Sequence, residues 1–231
     1  MSFLFQSENL TFNLLTGIIF SSIISLISYK FKLLTRSGII AAFILALIIY
    51  TFGTWQWTLP IVTFFILSSI LSKVRKKRNA EVEKYFEKQE QRDYLQVLAN
   101  GGLGGILVLL NYFYPFELFY IIYVSIVASV CADTWSTEIG TLFKTKTIDI
   151  LSLKEINPGI SGGISFPGIL ASVAGAFVIA ATSSPWLGSN FQTNLLIITL
   201  AGFIGSIADS MFGSSIQTRY KCVVCKNITE S

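Results

Sequence analysis

Apolar residues run along this chain in seven blocks, about 10–29, 37–53, 55–72, 95–114, 116–133, 164–183 and 193–210, separated by shorter polar or basic stretches. Each block approaches the roughly 20 apolar residues a helix needs to cross a bilayer. In lipid a backbone must satisfy its own hydrogen bonds, so the pattern predicts an all-α polytopic bundle of about seven transmembrane helices. No segment combines a charged start, a short apolar stretch and a small-residue cleavage site, so the first block is expected to remain as a helix. No fixed-period repeat or linker divides the chain. Residues 1–231 read as one integral membrane domain, with a basic loop at 73–94, a glycine-rich loop at 141–165 and a short tail at 217–231.

Composition agrees with that class, being 52% hydrophobic and only 13% charged. Charge adds orientation. With seven spans in place, all 17 Lys and Arg residues fall on one side, while the other side carries none and is rich in Trp and Tyr. By the positive-inside rule the N-terminus is outside, and the C-terminus and basic loops are cytoplasmic. The run from Lys73 to Arg92 reads first as a topology determinant and a contact for anionic membrane lipids. Its second half, with Glu81, Glu83, Lys84, Glu87 and Lys88, suits a solvated amphipathic helix, and no nucleic-acid partner is expected.

The chain contains no histidine, which excludes a Ser-His-Asp triad, a histidine base and histidine metal ligands. Cys222 and Cys225 supply at most half of a structural zinc site, the alternative being paired thiols. Catalysis is left to carboxylates, hydroxyls, lysines, backbone amides and a bound metal. Asp133 and Glu138 close the fifth block in "CADTWSTEIG", and Asp209 closes the seventh in "GSIADSMFGSSIQ". Ionisable groups at that depth are costly and point to function, the competing reading being that they only mark where helices leave the bilayer. Five residues of ideal helix rotate by about 140°, so a metal shared by Asp133 and Glu138 requires the helix to end or unwind near Trp135. "NPGISGGISFPG" brings Pro158, Gly159, Gly162, Gly163, Ser161 and Ser165 to a helix N-terminus, where backbone N–H groups can converge on phosphate. A tight packing turn is the competing reading. In "QVLANGGLGG", Asn100 needs polar partners, and the glycines beside it suit close helix packing. With Lys144, Lys146 and Lys154 nearby, this set suits Mg²⁺-dependent phosphoryl or nucleotidyl transfer at the membrane surface.

"QVLANGG", "ADTWSTEIG", "NPGISGGIS" and "GSIADSMFGSSIQ", followed by a CxxC tail, resemble in order the motifs of the integral membrane family called domain of unknown function 92, which includes transmembrane protein 19. The resemblance runs over about residues 10–228. A plant branch of that family is a phytyl-phosphate kinase that prefers CTP. The resemblance therefore implies a phosphotransferase that moves a phosphoryl group from a nucleoside triphosphate to an isoprenoid alcohol or its monophosphate. Carried over by position, Asn100, Asp133, Glu138, Asn157, Gly159, Gly162, Gly163, Asp209 and Ser210 fall on the family's polar motifs. Asn157 and Ser161 stand where many relatives have threonine and asparagine. The sequence ends six residues after Cys225, whereas relatives usually continue into a further segment.

The expected site has Asp133, Glu138 and Asp209 binding Mg²⁺ and acting in catalysis. Asn157, Gly159, Ser161, Gly162, Gly163, Lys154 and Ser210 hold substrate, and Asn100 orients a ligand oxygen. A cation-coupled transporter using the same acids and a non-catalytic membrane scaffold are the alternatives. A carrier usually has its site near the midplane and shows internal repeats, whereas these acids lie at one edge.

Overall fold

The computed structural model describes residues 10–78, 91–143, 145–217, 220–221 and 228–229. The seven apolar blocks appear as six helices: α1 Leu10–Lys30, α2 Arg36–Arg78, α3 Tyr94–Phe113, α4 Glu117–Leu142, α5 Phe166–Thr182 and α6 Phe191–Ile216. Five are long and apolar enough to cross a membrane, and α5, at 17 residues, is shorter.

The second helix holds two of the expected spans. Its 43 residues would reach about 65 Å if straight, twice the roughly 30 Å hydrocarbon core. At Thr54 the backbone leaves the helical region, with φ 54° and ψ −156°. Side-chain atoms of Leu45 and Ile61 come within 2.5 and 3.0 Å of where a Cβ on Gly101 would stand, although a straight helix would separate these two residues by about 24 Å. The halves 36–53 and 55–78 therefore form a hairpin, called α2a and α2b below. Pro60 has no N–H to give the Gln56 carbonyl. Tyr120 Oη donates to that carbonyl instead, at 3.2 Å.

Helix α4 is the central element. Tyr123, Val124, Val127, Ala128, Cys131 and Ala132 on it are buried. Its neighbours approach through small residues, as helices in lipid do. Gly202 of α6 meets Ala128, Gly175 of α5 meets Trp135, and Gly140 of α4 meets Gly168 of α5. Large apolar side chains on the outer faces, among them Leu26, Ile44, Leu103 and Ile204, remain exposed, as bilayer contact requires.

Two expectations about helix ends are corrected. Helices α4 and α6 do not stop at Asp133 and Asp209 but continue to Leu142 and Ile216. Packing of Gly140 onto Gly168 and of Gly213 onto Ser161 and Gly162 keeps these last turns in protein surroundings. The glycine-rich loop also has structure: strands β1 Thr147–Asp149, β2 Glu155–Ile156 and β3 Gly163–Ile164 form an antiparallel sheet in the order β2-β1-β3. Strands β4 Tyr220–Lys221 and β5 Ile228–Thr229 pair in the tail. Cys222, Cys225, Lys144 and the proposed amphipathic stretch around Glu81–Lys88 lie outside the described residues.

Candidate functional site

Starting from Asp133, steps of three, four, seven and eight residues lead to Ser136, Thr137, Gly140 and Thr141, which share one face of a helix. All five line a single polar pocket. Across it α6 contributes Asp209, Ser210, Gly213 and Gln217, spaced on one face by the same rule. The third wall is the turn Gly159–Gly163, closed by Thr147 and Ser165.

The carboxyl groups of Asp133 and Asp209 stand side by side within hydrogen-bonding reach. Two carboxylates this close repel unless a proton or a cation lies between them. Depth follows from helix rise. Asp133 is about 24 Å along α4 from Glu117, and Asp209 about 27 Å along α6 from Phe191, so both acids reach the same end of the bundle.

The glycine turn is held by backbone contact. Gly162, at φ +80°, lies so close to α6 that a Cβ there would be 2.5–2.7 Å from Ser214. Ile160 N–H donates to the Asn157 carbonyl and Gly163 N–H to the Ile160 carbonyl. The N–H groups of Gly159 and Gly162 enter no backbone hydrogen bond among the described residues. Beneath the turn, Asp149 is buried. It accepts hydrogen bonds from Ser214 Oγ at 2.8 Å, Ser152 N–H at 2.8 Å and Leu151 N–H at 3.2 Å. One carboxylate thus ties the small sheet to α6.

The structure brings Asp133, Asp209, Ser210, Gly159, Ser161, Gly162 and Gly163 into this pocket and leaves four expected residues out of it. Glu138 is the main correction. Helix α4 runs unbroken past Trp135, so the rotation between the two acids is preserved and Glu138 faces α2b. There it pairs with Arg75 Nε at 2.7 Å and accepts a hydrogen bond from Ser72 Oγ at 2.6 Å. Asn100 lines a separate apolar cavity. Asn157 and Lys154 are exposed on the loop, outside the pocket lining, and Lys146 pairs with Glu155 at 3.5 Å on the surface. Among the described residues no lysine or arginine lines the pocket.

The expected cluster of three carboxylates is likewise absent: no group of three or more Asp, Glu, Cys or His comes together among the described residues. What remains is two carboxylates surrounded by hydroxyl, amide and backbone groups. That donor set suits Mg²⁺, which binds one or two carboxylates and completes its shell with water and substrate phosphate. Ser136, Thr141, Thr147 and Gln217 were not singled out from the sequence. The helical period counted from Asp133 and Asp209 finds all but Thr147.

Residues 19–231 match the model of an integral membrane protein family, DUF92. Protein PGR of Arabidopsis thaliana is 30% identical over 237 residues, covering 92% of this chain and 82% of that protein. An uncharacterized membrane protein of Methanocaldococcus jannaschii is 29% identical, covering 89% of this chain and 84% of its own length. Another, of Synechocystis, is 25% identical, with 92% and 84% covered. No solved structure matches.

Proposed function

We propose, from the premise that this chain belongs to the DUF92 family of integral membrane proteins, that it transfers a phosphoryl group from a nucleoside triphosphate to an isoprenoid alcohol or its monophosphate at the cytoplasmic membrane face. The observation that carries this reading is the Asp133–Asp209 pair set against a glycine turn in a pocket of hydroxyls. The isoprenoid acceptor and the preference for CTP come from the resemblance of these motifs to the family's phytyl-phosphate kinase branch.

Asp133 and Asp209 would hold Mg²⁺, which when bound neutralises phosphate charge. The N–H groups of Gly159 and Gly162, which enter no backbone hydrogen bond among the described residues, would donate to phosphate oxygens, as in other anion-binding turns. The hydroxyls of Ser161, Ser165 and Ser210 and of Thr137 surround the same space. The acceptor oxygen forms a bond to the terminal phosphorus as the bridging P–O bond breaks, and nucleoside diphosphate leaves. A monophosphate acceptor is already an oxyanion and surrenders no proton; an alcohol acceptor gives its proton to a carboxylate or to water. Positioning and charge neutralisation therefore account for most of the rate.

The test is incubation of purified protein with labelled CTP or ATP, Mg²⁺ and a panel of prenols and prenyl phosphates. Label entering the organic phase is expected, and Asp133→Asn should abolish it while the variant stays folded in detergent. Full activity in that variant overturns the role of the pair. Cation flux in liposomes without turnover would replace the enzyme by the carrier.

A further inference from the structure

The glycine turn and the acid it faces come from distant parts of the chain. Between Gly163 and Asp209 the backbone runs through α5, the loop after it and most of α6, so covalent connection leaves their separation open. Noncovalent contact has to set it. Those contacts close a circuit around Gly162. The Ile150 N–H donates to the Gly162 carbonyl at 2.9 Å, and Gly162 rests on the backbone of Ser214. Ser214 Oγ donates to Asp149 Oδ2 at 2.8 Å. Asp149 directly precedes Ile150 and is paired with Gly163 in the register of β1 and β3.

The two carboxylate oxygens of Asp149 have separate tasks. Oδ1 accepts from Ser152 N–H and Leu151 N–H. With Leu153 N–H on the Asp149 carbonyl and Asp149 N–H on the Lys154 carbonyl, it closes the turn 149–154 without help from α6. Oδ2 reaches the helix instead, through Ser214. Asp149 is only 1% exposed, so bulk water does not compete for these bonds. Neither Asp149 nor Ser214 lines the pocket. Ser214 lies about 7.5 Å along α6 beyond Asp209 and follows Gly213, where a Cβ would stand 3.1 Å from the Gly162 nitrogen.

We infer that Asp149 is a positioning residue for the donor phosphates: through Ser214 it holds the Gly159–Gly163 turn at the depth on α6 where the turn and the Asp133–Asp209 pair face the same phosphates. This inference rests on the phosphotransfer reading above and adds to it the part that fixes the spacing between phosphate turn and metal acids. Asp149 touches no substrate and acts only through the turn. Such spacing is rate-determining in kind, because a shift of about 1 Å at reacting groups costs roughly a hundredfold in rate.

The experiment is steady-state transfer by the full chain in detergent, using whichever of labelled CTP or ATP the wild type accepts, with nucleotide and prenyl phosphate varied in turn at fixed Mg²⁺. Two variants cut the tie from its two ends. Ser214→Ala removes the donor, and alanine is the better helix former, so α6 stays folded. Asp149→Asn keeps the oxygen that serves Leu151 and Ser152 but puts an amide NH₂ where Ser214 donates. Each should raise the nucleotide KM about tenfold, since a hydrogen bond to a charged group is lost, and leave the acceptor KM unchanged. Combining Asp149→Asn with Ser214→Ala should be no worse than the worse single change, because both cut one bond. A merely structural role lowers kcat with the folded fraction and leaves the nucleotide KM where it was; that result, an equal rise in the acceptor KM, or losses that add in the double variant would each overturn the inference. Transfer absent from the wild type overturns the phosphotransfer reading and this inference with it, whereas normal wild-type transfer with an unchanged nucleotide KM in both variants overturns this inference alone.

Discussion

A rotation of about 140° separates Asp133 from Glu138 on α4, and it gives the two acids different neighbours. Asp133 meets Asp209, while Glu138 meets Arg75 and Ser72. Isothermal titration with Mg²⁺ should therefore show binding lost in Asp133→Asn and in Asp209→Asn but nearly retained in Glu138→Gln. Glu138→Gln should show its defect in stability instead, because it removes the carboxylate charge that pairs with half-buried Arg75 and accepts from Ser72. A loss of about 1–3 kcal/mol is expected, read as a lower midpoint of unfolding in detergent. Asp149 is a residue that reading the sequence passed over. Asp149→Ala removes the acceptor for Ser214 and two backbone N–H groups. It should cost about 3 kcal/mol and expose residues 150–165 to protease.

At the scale of elements, the apolar blocks showed where helices cross, because crossing a bilayer demands only length and hydropathy. They did not show where helices end. The turns after Asp133 and Asp209 carry Thr137, Thr141, Ser210 and Ser214, which read as a departure from lipid. They remain helical because α4, α5, α6 and the glycine turn bury one another there through Gly140, Gly168, Gly162 and Gly213. The break at Thr54 was legible only as the boundary between two blocks, and the return of Ile61 beside Leu45 made it a hairpin. Gly162 is the most demanding position of the turn, combining φ +80° with contact on the Ser214 backbone. Gly162→Ala should lift the turn from α6 and reduce phosphoryl transfer at least tenfold in the prenyl-phosphate assay, with the helices intact by circular dichroism.

For the whole molecule, the ends of α2b, α4 and α6 and the starts of α3 and α5 gather at one end of the bundle, and the Thr54 turn, residues 114–116 and residues 183–190 gather at the other. Single cysteines placed at Ser152 and at Ser189, with the three native cysteines replaced by serine, should be labelled by impermeant maleimide from opposite sides of a sealed vesicle. Labelling from the same side would overturn this arrangement. Membrane class, span positions, the segregation of positive charge and the depth of each acid follow from the sequence by itself, since each is a property of order along one dimension: run length, side of the membrane, and helix rise per residue. Which polar groups meet was decided only by tertiary structure. Hydropathy carries no record of how helices are arranged sideways in a bilayer, where lipid tails and neighbouring helices are equally apolar. The packing of α4 between α2b on one face and α5 and α6 on the others therefore separated the expected polar residues: Asp133 and Asp209 share a pocket with the glycine turn, Glu138 pairs with Arg75, and Asn100 lines an apolar cavity.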